Sequence, residues 1–196
     1  SIIYALREGV ITTLTTEGQL RSNGMAVDED GSMLIAAHDE REISRINPMT
    51  LQRSSVASSY DNLGFTAPND LVVSSAGHVF FSDPAYNSQV DGRDRDLDFE
   101  GVFHFDGQTV HLIDDSISRP NGITLSIDET WLYVASRGDN DVYRYPVAPD
   151  GTRVGRMAGT RNVTNIAFGG ADGRTLYITE RNRLLSAAMP LPGLPY

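Results

Sequence analysis

The chain has 196 residues, 40% of them hydrophobic and 21% charged, a length and balance that allow one substantial core in a globular protein rather than a disordered or fibrous one. With 26 acidic against 16 basic side chains the formal net charge is -10, which argues against a nucleic-acid partner because no basic cluster is available to displace phosphate counterions. No cysteine occurs, so disulfides, thiolate metal sites and cysteine nucleophiles are excluded together, and His38, His78, His104 and His111 lack zinc-type spacing.

No apolar run approaches the length of a membrane span, and residues 1–20 lack the basic-then-apolar layout of a signal peptide. The expectation is a soluble, cytoplasmic protein with no membrane partner, folded as a single domain over 1–196. Any metal chemistry has to use oxygen ligands.

Taken in chain order, the predicted elements repeat. Residues 1–14 read as two β-runs. Asn23 to Gly31 leads into Ser32 to Ala37 and then Glu42 to Asn47. The pattern returns as Pro68 to Gly77, His78 to Asp83 and Gly101 to Asp106, and again as Pro120 to Glu129, Thr130 to Ala135 and Asp141 to Tyr145. A fourth copy runs from Val163 to Gly173 and on to Thr179. Each copy is a β-rich run, an Asp/Gly/Ser turn and a second β-rich run, which is hairpin grammar. The copies recur about every 45 to 50 residues, the size of a four-stranded propeller blade. The fold class read from this is all-β: a six-bladed-type β-propeller, incomplete in this chain, with about four full blades plus part of another. Six blades need about 270 residues. A β-sandwich is the rival, although a sandwich has no reason to repeat a motif. The acidic stretch Asp91 to Glu100 is either a lid over the channel mouth or a solvated charge run, and Leu191 to Tyr196 is expected to be an unstructured tail.

In a propeller the innermost strands run along the central channel, so a residue repeated at one place in every blade converges near the axis. Asn23, Asn69, Asn121 and Asn165 stand at or just before the first β-run of their units, and each carries an amide oxygen, a neutral hard donor suited to calcium. The competing reading is local: Asn-Gly and Asn-Asp are common turn pairs, in which Asn tolerates left-handed backbone angles or bonds its own main chain.

At these residues the chain resembles a known family. Pro68-Asn69-Asp70 with Phe81-Ser82-Asp83-Pro84-Ala85-Tyr86, then Arg119-Pro120-Asn121-Gly122-Ile123, then Asn165 to Gly170 look like successive blades of the gluconolactonase, senescence-marker-protein and luciferin-regenerating-enzyme family, calcium-dependent propeller lactonases distantly similar to paraoxonases. The resemblance implies one divalent cation, usually calcium, at the bottom of a funnel. It transfers the metal-facing roles to Asn69 and Asn121, while Asp70 matches a position that helps hold a second, structural calcium in some relatives. It places Asn23, His38 and Tyr86 at substrate-binding positions along the funnel.

Two of the family's charged ligands have no counterpart. The Glu of a Glu-Gly-Pro phrase would precede Ser1, and the Asp of a Pro-Asp-Gly phrase would fall between Val154 and Thr164, where no Asp occurs. That Asp is also the family's leading candidate for the general base, so no catalytic residue is assigned from sequence. The expected function is divalent-cation-dependent hydrolysis of a sugar lactone or similar cyclic ester, with a small-molecule lactone as partner. The alternatives are a non-catalytic propeller scaffold and an inactive fragment lacking the charged ligands.

Overall fold

The structure is a computed structural model that describes residues 3–15, 21–85, 95–147 and 153–194. Two predicted features, Tyr86 and the first part of the acidic stretch, lie outside the described residues.

The chain opens on an antiparallel hairpin of β1 (Ile3–Arg7) and β2 (Val10–Thr15). β3 (Ser22–Val27), β4 (Met33–Ala37), β5 (Glu42–Ile46) and β6 (Arg53–Ala57) then form a four-stranded meander, the first blade. A short ribbon of β7 (Ser59–Tyr60) and β8 (Leu63–Gly64) leads into the second blade, which consists of β9 (Leu71–Val73), β10 (Val79–Asp83), β11 (Gly101–Phe105) and β12 (Val110–Asp114). The third blade contains β13 (Pro120–Leu125), β14 (Trp131–Ser136), β15 (Asp141–Pro146) and β16 (Gly155–Ala158). The fourth has three strands among the described residues, β17 (Val163–Gly169), β18 (Thr175–Glu180) and β19 (Arg183–Ala188), one fewer than the full unit expected. The all-β propeller reading holds, with four blades and a hairpin of another. β16 runs almost directly into β17, as the short spacing between the third and fourth copies requires.

The turn after each inner strand explains the repeated Asp/Gly/Ser signature. Gly31, Gly77 and Gly173 take φ of 78°, 77° and 68°, the left-handed region where a side chain is disfavoured, and their N–H groups donate to Asp28, Ser74 and Gly170. In the third blade Glu129 holds the equivalent place at φ 54° and makes use of its side chain, which accepts from the Ser75 N–H at 2.6 Å and ties the third blade to the second.

The second strand of each blade is packed on both faces, so it reads as a continuous apolar run rather than the simple alternation of a one-sided sheet. In β4, Leu34 and Ala36 join the core between the first and second blades, and Ile35 and Ala37 pack with Ile3 of the opening hairpin. In β10, Phe81 faces the first blade and Phe80 the third, and in β14 Val134 and Tyr133 divide in the same way between the second and fourth.

The C-terminal segment corrects the sequence reading. Ile127 N–H donates to Pro192 O at 2.8 Å, Gly193 N–H to Gly173 O at 2.9 Å and Leu194 N–H to Leu125 O at 3.3 Å. Residues up to Leu194 therefore dock between the third and fourth blades. Pro and Gly break strand pairing but not docking, which is why composition alone misread the segment. Among the described residues no helix is long and apolar enough to cross a membrane.

Candidate functional site

The inner strands β3, β9, β13 and β17 lie side by side around the axis. Gly24 N–H donates to Asn69 O at 2.8 Å across the seam between the first and second blades, and Ile123 N–H donates to Asp70 Oδ2 at 3.2 Å across the seam between the second and third. A Cβ on Gly24 would lie 2.6 Å from Asp70 Cα, and one on Gly122 would lie 2.6 Å from Asn165 Cα and 2.7 Å from Ile166 N. The glycines of the Asn-Gly pairs thus serve close backbone approach at the axis. Asn23, Asn69, Asn121 and Asn165 are absent from the residues with positive φ, so none of them serves a left-handed turn, although Asn165 does bond the adjacent main chain, its Oδ1 accepting from Ile166 N–H. Replacing Gly122 with alanine drives a methyl into neighbouring backbone and should cost about 3 kcal/mol; a Gly122→Ala urea midpoint equal to that of the parent would refute the close approach.

Strand register revises one part of the expectation. Met25 pairs with Ile35, Leu71 with Phe81, Ile123 with Val134 and Ile166 with Ile178. These four pairs are equivalent because in each blade they face the preceding one. The residue just before them is Gly24, Asp70, Gly122 and Asn165, and the residue before that is Asn23, Asn69, Asn121 and Thr164. Asn165 therefore aligns with Asp70, not with the other three asparagines. The two behave alike: Asp70 Oδ1 accepts from Leu71 N–H at 3.0 Å and Asn165 Oδ1 from Ile166 N–H at 2.7 Å. The one-residue slip is taken up within the hairpin: Ile166 and its partner Ile178 lie 12 residues apart, against 10 for Met25 and Ile35 and for Leu71 and Phe81.

The axis encloses a cavity of about 760 Å³ whose wall includes Asn23, Asp70, Thr124, Asn165 and Thr179, with Met25, Val73 and Leu194 among its apolar residues. Asp70 is the acidic residue on that wall, and no basic residue lines it. Burial pushes the Asp70 carboxyl up to about 6, opposed by the N–H groups of Ile123 and Leu71. Asn69 is buried, at 5% exposure, and lies two residues before β9; Asn121 is partly buried on β13, and neither is among the residues that line the cavity. His38 follows β4 at the end of the first blade where Ala37 pairs with Ser22, next to Asn23. Burial lowers its pKa, with Asp39 opposing, and its Nε2 is buried without a hydrogen-bond partner.

Sequence reasoning missed the residues that hold these segments. Glu100, at the end of the acidic stretch, accepts from Ala85 N–H at 2.7 Å and from Arg119 N–H at 2.8 Å, and Leu97 is buried, so this end of the stretch is structural rather than a solvated run. Its sequence signal is a single buried-type Leu between acids, too slight to read alone.

As for a metal, no group of three or more His, Cys, Asp or Glu side chains comes together among the described residues in a way that could hold an ion. Of the expected ligands, Asp70 lines the cavity beside Asn23, whereas Asn69 and Asn121 are not among its lining residues; amide and carboxylate oxygens of this kind are donors for a hard divalent cation and not a thiophilic one.

Residues 2–158 match the SMP-30/Gluconolactonase/LRE-like region. Over 148 residues the chain is 39% identical to a gluconolactonase of Zymomonas mobilis, an alignment covering 71% of this chain and 41% of that protein. It is 28% identical over 122 residues to the lactonohydrolase oryL of Aspergillus oryzae, covering 57% of this chain and 28% of that one. The chain thus spans less than half the length of either curated relative. Among solved structures, a gluconolactonase from Xanthomonas campestris superposes with a TM-score of 0.81 at 23% identity, over 97% of this chain and 67% of that one. A virginiamycin B lyase from Staphylococcus aureus superposes with a TM-score of 0.65 at 13% identity, over 96% of this chain and 63% of that one. At these identities the structural likeness is one of fold, whereas the sequence match is specific: the chain belongs to the SMP-30/gluconolactonase/LRE-like family.

Proposed function

We propose that the chain carries the substrate channel of a lactone hydrolase, opening a sugar lactone or similar cyclic ester with water to give the hydroxy acid. The observation that carries this reading is the axial cavity, lined by Asp70 and Asn23, in a chain of this family. In the reaction water adds to the ester carbonyl carbon, the ring C–O bond breaks, and the ring oxygen leaves as a hydroxyl. Asn69, Asn121 and Asp70 would hold a divalent cation, calcium by ligand type. When bound, such an ion supplies Lewis-acid polarisation of the ester carbonyl. Asn23, His38 and Tyr86 would orient the substrate's hydroxyls. A neutral His38 can donate from one nitrogen and accept at the other, which suits that role. With no cation on the cavity wall and one carboxylate, the site would take an uncharged ring and repel the acid it produces.

The test joins two measurements on the same preparation: calorimetric titration of calcium, and turnover of glucono-1,5-lactone before and after exhaustive chelation. Turnover should fall at least about a hundredfold on chelation and return with added calcium. Full activity in the chelated protein would end the cation-dependent reading. The rival reading, a binding scaffold, is favoured by the sparse charge at the axis, where one acid faces the cavity. It predicts ligand binding without turnover under every metal condition.

A further inference from the structure

The seam between the second and third blades differs from its neighbours. Where the first blade meets the second, and the third meets the fourth, the residue at the axis is glycine, Gly24 or Gly122, and the adjacent inner strand comes into direct backbone contact. Where the second meets the third, the equivalent residue is Asp70, so the strands are joined through side chains instead. One link is the Asp70 carboxylate to the Ile123 N–H. The other is Ser82, the β10 residue aligned with Asp70.

Ser82 is fully buried and faces the third blade. Its Oγ donates to Asn121 O at 2.7 Å and accepts from Asp70 N–H at 3.3 Å, while its own backbone pairs on both sides, N–H to Asp70 O at 3.0 Å and O from Asn69 N–H at 2.8 Å. The equivalent residues of the first and third blades are Ala36 and Ala135, which carry no hydroxyl. In the fourth blade it is Thr179, whose hydroxyl also reaches an inner-strand carbonyl, Asn165 O, at 3.2 Å. A hydroxyl placed in a seam otherwise closed by alanine carries a desolvation cost unless both its donor and its acceptor are used, and here both are.

We infer that Ser82 is a positioning residue that fixes the spacing of the two segments bearing Asn69-Asp70 and Asn121, and so sets the geometry of the cation and lactone site. The inference rests on the lactonase reading for its functional consequence, but not for its structural one. A single hydroxyl bonded to two chain segments holds their separation where no glycine contact does so.

The experiment is Ser82→Ala beside Ser82→Thr, threonine being the residue present at the same place in the fourth blade. Backbone hydrogen exchange followed by NMR reads the positioning directly. In Ser82→Ala the Asp70 amide should exchange at least about tenfold faster, while Val102 and Phe103 in the same blade keep their rates, and Ser82→Thr should restore the Asp70 rate. Calcium affinity should weaken about tenfold in Ser82→Ala, and lactone KM should rise more than kcat falls. An unchanged Asp70 rate, or a uniform acceleration across the blade, overturns the inference. If the parent protein shows no lactone turnover under any metal condition, the lactonase reading fails, and the Asp70 exchange rate still decides the role of Ser82.

Discussion

Replacing Asp70 with asparagine should lower lactone turnover by about a hundredfold or more and weaken calcium binding by at least about tenfold, because it removes the negative charge from a cation site otherwise built of amides. The substitution is close to isosteric, so the loss measures charge rather than volume. It also places an amide N–H against one of the two backbone donors, Leu71 or Ile123, that the carboxylate now accepts, a local cost of about 1–2 kcal/mol. Calorimetry and turnover on the variant separate these effects. Wild-type calcium affinity in Asp70→Asn would remove Asp70 from the site.

The second large effect concerns folding. Asp83 is fully buried at the end of β10, and its two carboxylate oxygens accept from the Thr66 N–H at 2.8 Å and the Ala67 N–H at 2.6 Å, holding the segment that leads into Asn69. Arg41, from the first blade, donates to Thr66 O at 3.3 Å and lends its charge to the same corner. Asp83→Ala leaves two buried backbone donors unpaired, at about 1–3 kcal/mol each, and should destabilise the chain by about 4 kcal/mol in urea unfolding.

The same residue gives a pH signature. Burial raises the Asp83 carboxyl from 3.8 to about 6, against its two N–H bonds and the nearby arginines, so the folded chain binds this proton more tightly than the unfolded chain does. The penalty is fully present above about pH 6 and is relieved as the pH falls toward 3.8. At 1.36 kcal/mol per unit, a two-unit shift is worth up to about 3 kcal/mol. Asp70 acts with the same sign in the cation-free protein. Glu42 and Asp114 act oppositely: burial is the largest single influence and raises both, but the bonds of Ser44, Ser55 and Arg53 to Glu42, and those of Ser116 and Tyr145 with the Arg153 charge at Asp114, together lower both pKa values, so their stabilisation is lost as the pH falls through the acid range. Chelated protein should therefore gain stability from pH 7 to pH 5 and lose it below about pH 4, with the gain reduced in Asp83→Asn. Unfolding curves that show a steady decline from pH 7 to pH 5 would contradict the assignment.

The comparison of sequence and structure follows the range of the forces involved. The repeat, its turn chemistry and the two-faced strands were legible because each is a local demand: Gly31, Gly77 and Gly173 answer a backbone angle, and runs such as Met33 to Ala37 answer burial on both sides. The family likeness followed from the order of the Asn-bearing phrases. The slip that aligns Asn165 with Asp70 was not legible, because a longer fourth-blade hairpin changes strand pairing without changing composition. Nor were the roles of Ser82, Asp83, Glu100 and the docked segment ending at Leu194, whose partners lie 12 or more residues away in sequence.

By itself, then, the sequence determined the blade, since alternation, turns and apolar runs act within a few tens of residues. Tertiary structure alone decided which side chains meet at the axis and what holds them apart. Seam geometry depends on the neighbouring strand, and whether that neighbour presents glycine, as at Gly24 and Gly122, or a carboxylate braced by a serine, as at Asp70 and Ser82, is settled only when the blades pack.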